Sequence, residues 1–187
     1  MKKQIFLCTL TLAALLSGCI PSLYPIYTDE VLTFEERLLG DRQGDDNTWT
    51  FQRGKGQSYQ LLLTDTDEGS TEVYATHLVK LGPYYFLDFY PDRELTSRCE
   101  FSLMPMIPCH SFARLDWDEA RQPQITMFDY DWLENLVENR QIRIRHERTT
   151  DGTIVLTASP EEMQKFLLKY AEEKEAMSET LTLVRTK

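Results

Sequence analysis

Hydrophobic positions recur mostly with a period of two along this chain, the spacing of half-buried strands. In residues 48–53, Trp49 and Phe51 alternate with Thr48, Thr50 and Gln52. Residues 58–64 put Tyr59, Leu61 and Leu63 on one face, and Asp65-Thr66-Asp67-Glu68-Gly69 then supplies turn chemistry. Val73, Ala75, His77, Val79 and Leu81 share the next face, and Gly82-Pro83 turns the chain into residues 84–90. Further strands are expected at 110–117, 124–128, 141–149 and 153–158, with Asp151-Gly152 as a tight hairpin turn between the last two.

Two helices interrupt this pattern. Asp129 or Asp131 can cap a short one reaching about Glu138, burying Trp132, Leu133, Leu136 and Val137. The second begins at Ser159-Pro160-Glu161-Glu162, with a cap, a proline at the first helical position and a glutamate at the third. Met163, Phe166, Leu167 and Tyr170 then form one apolar stripe. The expected fold is mainly β (α+β): about eight antiparallel strands in a small barrel or curved sheet, with two short helices, the second near the C-terminus. Such a barrel is either filled by its own side chains or holds one small ligand. The pattern leaves both cases open.

The N-terminus departs from all of this. Lys2 and Lys3 precede an apolar run from Ile5 to Leu16, and Leu16-Ser17-Gly18-Cys19 follows. This reads as a secretory signal over residues 1–18, ending in a lipobox that makes Cys19 the site of lipidation. The run is too short for a membrane span, which needs about 20 apolar residues. Two or more acyl chains on Cys19 would anchor the protein stably. Ile20, rather than an aspartate, follows the cysteine, which favours the outer membrane over the inner one within the cell envelope. The expected organisation is therefore a signal at 1–18, a lipidated cysteine and proline-punctuated tether at 19–33, and a single β-rich domain at 34–187.

Composition sharpens the picture. The chain has 187 residues and a formal net charge of −10, and loss of Lys2 and Lys3 would make it more acidic still. Such a surface repels phosphate backbones, so nucleic acid is not an expected partner. Cys8 leaves with the signal and Cys19 takes lipid, so Cys99 and Cys109 remain. Two thiols in an exported domain are expected to pair, closing a short loop worth about 2–3 kcal/mol on the chain-entropy model. Between them, Phe101, Leu103, Met104, Met106 and Ile107 form an apolar, proline-interrupted loop. It is expected to pack on the barrel, or to act as a lid or partner surface.

No hydrolase elbow, zinc helix, phosphate loop or dinucleotide fingerprint occurs, and no cofactor or metal is expected. The remaining candidates for a polar site are His77, Asp88 and His146. His77 and His146 lie on apolar strand faces, and inward they would converge on a ligand's polar group. Asp88, among Tyr84, Phe86 and Tyr90, needs a partner if buried, and Arg114 is the expected one.

Several stretches carry a resemblance. Residues 19–28 (Cys-Ile-Pro-Ser-Leu-Tyr-Pro-Ile-Tyr-Thr), Leu38-Leu39-Gly40, Thr48-Trp49-Thr50-Phe51, His77-Leu78-Val79-Lys80-Leu81, Phe86-Leu87-Asp88 and the helix from Ser159 to Ala171 resemble an uncharacterised family of bacterial lipoproteins. The Leu38-Leu39-Gly40 opening is also similar to that of lipocalin-like barrels, which place a tryptophan two residues after the glycine. Arg42 stands there instead, with Trp49 a substitute aromatic for the barrel floor. The resulting expectation is a non-enzymatic lipoprotein, held to the membrane through Cys19, that binds a small apolar ligand or an envelope protein. The alternatives are a structural or assembly lipoprotein with a filled barrel, and a hydrolase built from scattered residues such as Asp88 with a histidine.

Overall fold

The computed structural model describes residues 19–92 and 107–186. Alternation becomes strand along most of the chain: β1 (Leu32–Thr33), β2 (Gly40–Gln43), β3 (Asn47–Arg53), β4 (Ser58–Asp65), β5 (Thr71–Leu81), β6 (Tyr84–Pro91), β7 (Ser111–Trp117) and β8 (Pro123–Phe128). After α1 (Tyr130–Glu138) come β9 (His146–Arg148) and β10 (Ile154–Leu156), then α2 (Pro160–Tyr170), β11 (Met177–Thr182) and β12 (Val184–Arg185). The mainly β fold with two short helices is as expected.

Antiparallel pairing runs β11-β8-β7-β6-β5-β4-β3-β2-β12, and β1 pairs with β5 beyond the end of β4, completing a ten-stranded sheet. Only Leu183 separates β11 from β12, and its N–H donates to the Pro123 carbonyl (2.9 Å). One C-terminal strand therefore pairs with β8 through its first half and with β2 through its second, drawing the two sheet edges into a nearly closed barrel. Closure removes the open edges that an extended sheet would present.

Two hydrophobic cores lie on opposite faces of this sheet. The inner one takes alternate residues from the strands around the barrel, including Phe51, Tyr59, Leu61, Leu78, Leu87, Leu115 and Ile125. Rings pack against one another within it: Phe34 stacks on Tyr59 (4.5 Å between centroids), Phe51 meets Tyr59 edge-on (6.1 Å), and Trp49 packs on Phe51 and Phe89. The Tyr59 hydroxyl accepts from the Glu35 N–H (2.7 Å), and burial pushes its pKa up to about 12.

The outer core lies mainly on β5–β8, with Leu32 of β1 and Met177 of β11 at its margin. There Val79, Leu81, Phe86, Phe112 and Phe128 meet α1, α2, the β9–β10 hairpin and the N-terminal segment. Being covered on both faces explains the unbroken buried run Phe86-Leu87-Asp88-Phe89 in β6. The helix starts follow their caps. Asp129 Oδ1 accepts from the Trp132 N–H (2.8 Å), and Ser159 and Glu162 form a reciprocal capping box with Pro160 in the first turn.

Two expectations change. Residues 153–158 and 141–149 contribute only the short β9–β10 pair, outside the barrel, because Ile142 and Ile144 pack on the outer core without a strand beside them. Residues 19–28 are built into the domain, not a free tether. Ser22 exchanges both backbone hydrogen bonds with His110 (2.8 Å each), Leu156 N–H donates to the Pro21 carbonyl (2.9 Å), and Ile20 and Ile26 are buried in the outer core.

Candidate functional site

Of the three residues expected to form a polar site, His77 and Asp88 meet and His146 does not. Cross-strand register sets His77 opposite Asp88, both on the outer face of the sheet. His146 belongs to β9, and its Nδ1 lies 2.8 Å from the Ile144 carbonyl oxygen of its own strand. A hairpin outside the barrel cannot bring it to His77, so the expected convergence inside a barrel fails on both counts.

Asp88 is fully buried. Its Oδ1 accepts from His110 Nδ1 (2.7 Å), and its Oδ2 accepts from the Ile26 N–H (3.0 Å). Arg114, the expected partner, lies elsewhere. Asp88 is level with Phe112 on β7, so His110 and Arg114 are its two diagonal neighbours on that face. Arg114 turns away to Asp116 (2.6 Å) and to the Ala171 carbonyl at the end of α2, where a cation is favoured. Histidine takes the remaining diagonal.

Two tyrosines complete the cluster: Tyr27 lies over His77 (4.2 Å between centroids) and Tyr90 over His110 (4.5 Å). Burial holds the His77 imidazole below its ordinary pKa, with the Asp88 charge opposing and His110 adding to the fall. Burial and the Asp88 charge raise Tyr27. Both Asp88 oxygens are thus committed to fastening β7 and the N-terminal segment onto β6. Of the added members, Tyr90 already shares the strand face expected for Asp88 and His110 opens the strand expected at 110–117, whereas Tyr27 did not enter from the sequence pattern. The signal for Tyr27 lay in a stretch read as a tether. Among the described residues no group of three or more His, Cys, Asp or Glu side chains could hold a metal ion.

Cys99, Phe101, Leu103, Met104 and Met106 lie outside the described residues, and with them the expected bridge to Cys109. Cys109 is half-buried, with Sγ 3.8 Å from the Ile107 carbonyl, and burial raises its pKa. Ile107 is 74% exposed. Cys19 is exposed and lines a shallow surface cavity with Tyr130, Glu134, Arg148 and the turn at Asp151. Trp49 is half-buried on the inner face of the barrel, directly across from Arg42, which is buried.

A second site was not anticipated. Residues 141–145 run extended beside α2 and leave a cleft of about 490 Å³ between them. Ile142 and Ile144 turn inward, while Arg143 and Arg145 are exposed. The amides of Ile142, Arg143 and Ile144 have no hydrogen-bond partner among the described residues, whereas at the two ends of the segment the Gln141 N–H donates to the Leu136 carbonyl (2.8 Å) and the Arg145 carbonyl accepts from the Thr157 N–H (2.9 Å). Arg140, Arg143, Lys165 and Lys169 line the cleft, and its one acid, Glu162, is already paired with Arg145 (2.7 Å).

Arg140 enters this site through strain. It adopts φ 56°, in the left-handed region, at the end of α1. Its N–H donates to the Val137 carbonyl and that of Gln141 to Leu136, the Schellman arrangement in which glycine is usual. Arg121, in the turn between β7 and β8, adopts the same left-handed conformation (φ 60°). No family model, curated protein or solved structure matches this chain.

Proposed function

We propose that this protein is an exported lipoprotein, anchored in the cell envelope through lipid on Cys19, whose domain holds a protein partner in the cleft beside α2. The observation that carries this reading is the contrast between the barrel interior, occupied by its own aromatic rings, and the cleft, which offers open volume and unpaired groups. The backbone amides of residues 142–144, without a partner among the described residues, suit an added strand, whose backbone would complete the pairing that β9 and β10 begin. The surrounding cations favour an acidic segment, in a chain whose own net charge is −10. Both Asp88 oxygens already hold His110 and the Ile26 N–H, a structural use of the cluster that supports a non-enzymatic reading.

The anchor reading draws on the residues before Cys19 and on the exposure of Cys19 itself. Anchoring would leave the outer membrane as the favoured location, with the domain in the periplasm.

A photo-reactive residue at position 143 in the full-length lipoprotein tests the partner site in its own envelope. The expected result is a discrete cross-linked species that disappears when Lys165 is changed to Glu and is absent when the probe stands at Asp41 on the barrel. A small molecule co-purifying in stoichiometric amount by native mass spectrometry, with no adduct at 143, would overturn this reading in favour of a ligand carrier.

A further inference from the structure

Among the described residues only five large hydrophobic side chains are exposed: Leu23, Tyr24, Ile107, Leu168 and Val184. Three of them fall on the two segments joined by the Ser22–His110 bridge. Leu23 and Tyr24 follow Ser22 directly, and Ile107 precedes His110 by three residues on the antiparallel neighbour. The same stretches carry no formal charge. No Asp, Glu, Lys or Arg occurs in residues 19–28 or 107–113, in a chain where 27% of residues are charged.

We infer that this uncharged rim, Leu23, Tyr24 and Ile107, lies in the headgroup region of the bilayer that holds the lipid on Cys19. The inference rests on the anchor reading above and adds an orientation to it. A lipid on a long flexible linker would leave the domain free to tumble, but here there is no linker. Ile20 is 2% exposed, and Pro21, Ser22 and Leu23 are bonded through their backbones to β10 and to His110. Acyl chains on Cys19 therefore enter the membrane from the surface of the folded body; Glu134, Arg148 and Asp151 line the cavity on one side of Cys19, at headgroup level, and the uncharged rim follows Cys19 along the chain. An apolar rim without charges suits that layer, and tyrosine concentrates at membrane interfaces. Apolar side chains shallowly buried beside a lipid anchor add a second membrane contact.

The test uses the mature lipoprotein in vesicles of phosphatidylethanolamine and phosphatidylglycerol whose acyl chains carry bromine, a short-range quencher of tryptophan. Tyr24→Trp reports on the rim. Leu168→Trp is the control, since Leu168 lies against the Gly82 turn at the opposite end of β5. Emission is read as the difference from the parent chain, with intact mass establishing acylation of Cys19. The expected result is roughly two-fold quenching at position 24 and little at 168. An acylated chain quenched equally weakly at both positions overturns the rim and leaves the anchor standing. A chain whose mass shows no acyl groups overturns both.

Discussion

The two faces of the sheet use the same strands in opposite ways. Inward, the strands contribute packed rings and aliphatic groups with one buried cation, Arg42, which donates to the Arg37 carbonyl, and Tyr59 closes its own hydrogen bonds on Glu35. Outward, β5–β8 support a layer that includes a buried carboxylate, two histidines, a guanidinium on a helix end and an unpaired extended segment. A closed barrel can be satisfied by packing alone, because pairing around it answers its backbone groups. A covering layer of short helices, a hairpin and an N-terminal segment has fewer shared bonds, so polar fasteners such as Asp88 hold it in place. The inner face makes the scaffold, and the outer face carries what the scaffold displays.

The comparison breaks most severely at the interior. Phe51→Ala is expected to cost about 3–5 kcal/mol, read from denaturant midpoints, because a fully buried ring in a filled core leaves a cavity. Amide exchange should rise in both layers, since the covering layer rests on the barrel. Asp88→Ala is expected to cost about 3 kcal/mol by removing a buried carboxylate from His110 and the Ile26 N–H. Its exchange pattern should be one-sided, faster at residues 20–27 and little changed in β3 and β4. A uniform response would mean that the two layers do not differ in how they are held.

Smaller changes sharpen the contrast. Arg140→Gly relieves a left-handed arginine and is expected to stabilise the fold by about 0.5–1 kcal/mol in thermal unfolding. The same change should weaken the cross-link at position 143, a gain in stability matched by a loss of binding. The smallest effect is a slope. Folding lowers the His77 pKa, so the unfolded chain takes up a proton first as pH falls below 6.5. His77 should therefore cost stability progressively on acidification through that range. His77→Gln should flatten this part of the stability curve against pH, and an unchanged slope would show that His77 does not titrate differently on folding.

How much was legible follows from the kind of signal. Strands such as 48–53 and 58–64 announced themselves because one face is buried and the other wet, and α2 because its cap, proline and glutamate are local. β11 was silent: Ser178, Glu179 and Thr180 carry no alternating apolar pattern, and their role depends on β8 lying beside them. Ile142 and Ile144 gave the opposite error, alternating as a strand does without any strand to pair with. Asp88 was rightly picked out as needing a partner. The choice between His110 and Arg114, however, depended on α2 ending where its last carbonyl could claim the arginine. Prolines at 21 and 25 suggested a tether, although their segment is held by backbone bonds to residues far along the chain.

The seam made by β11 and β12 also sets a timetable. Arg185 pairs with Arg42 and Thr182 with Gln124, so residues 177–185 join strands that were synthesised well before them. Until that stretch emerges, β2 and β8 remain open edges, and pairing across so long a separation is slow. A chain in that state is still loose, and the barrel locks only once its last strand has joined both edges.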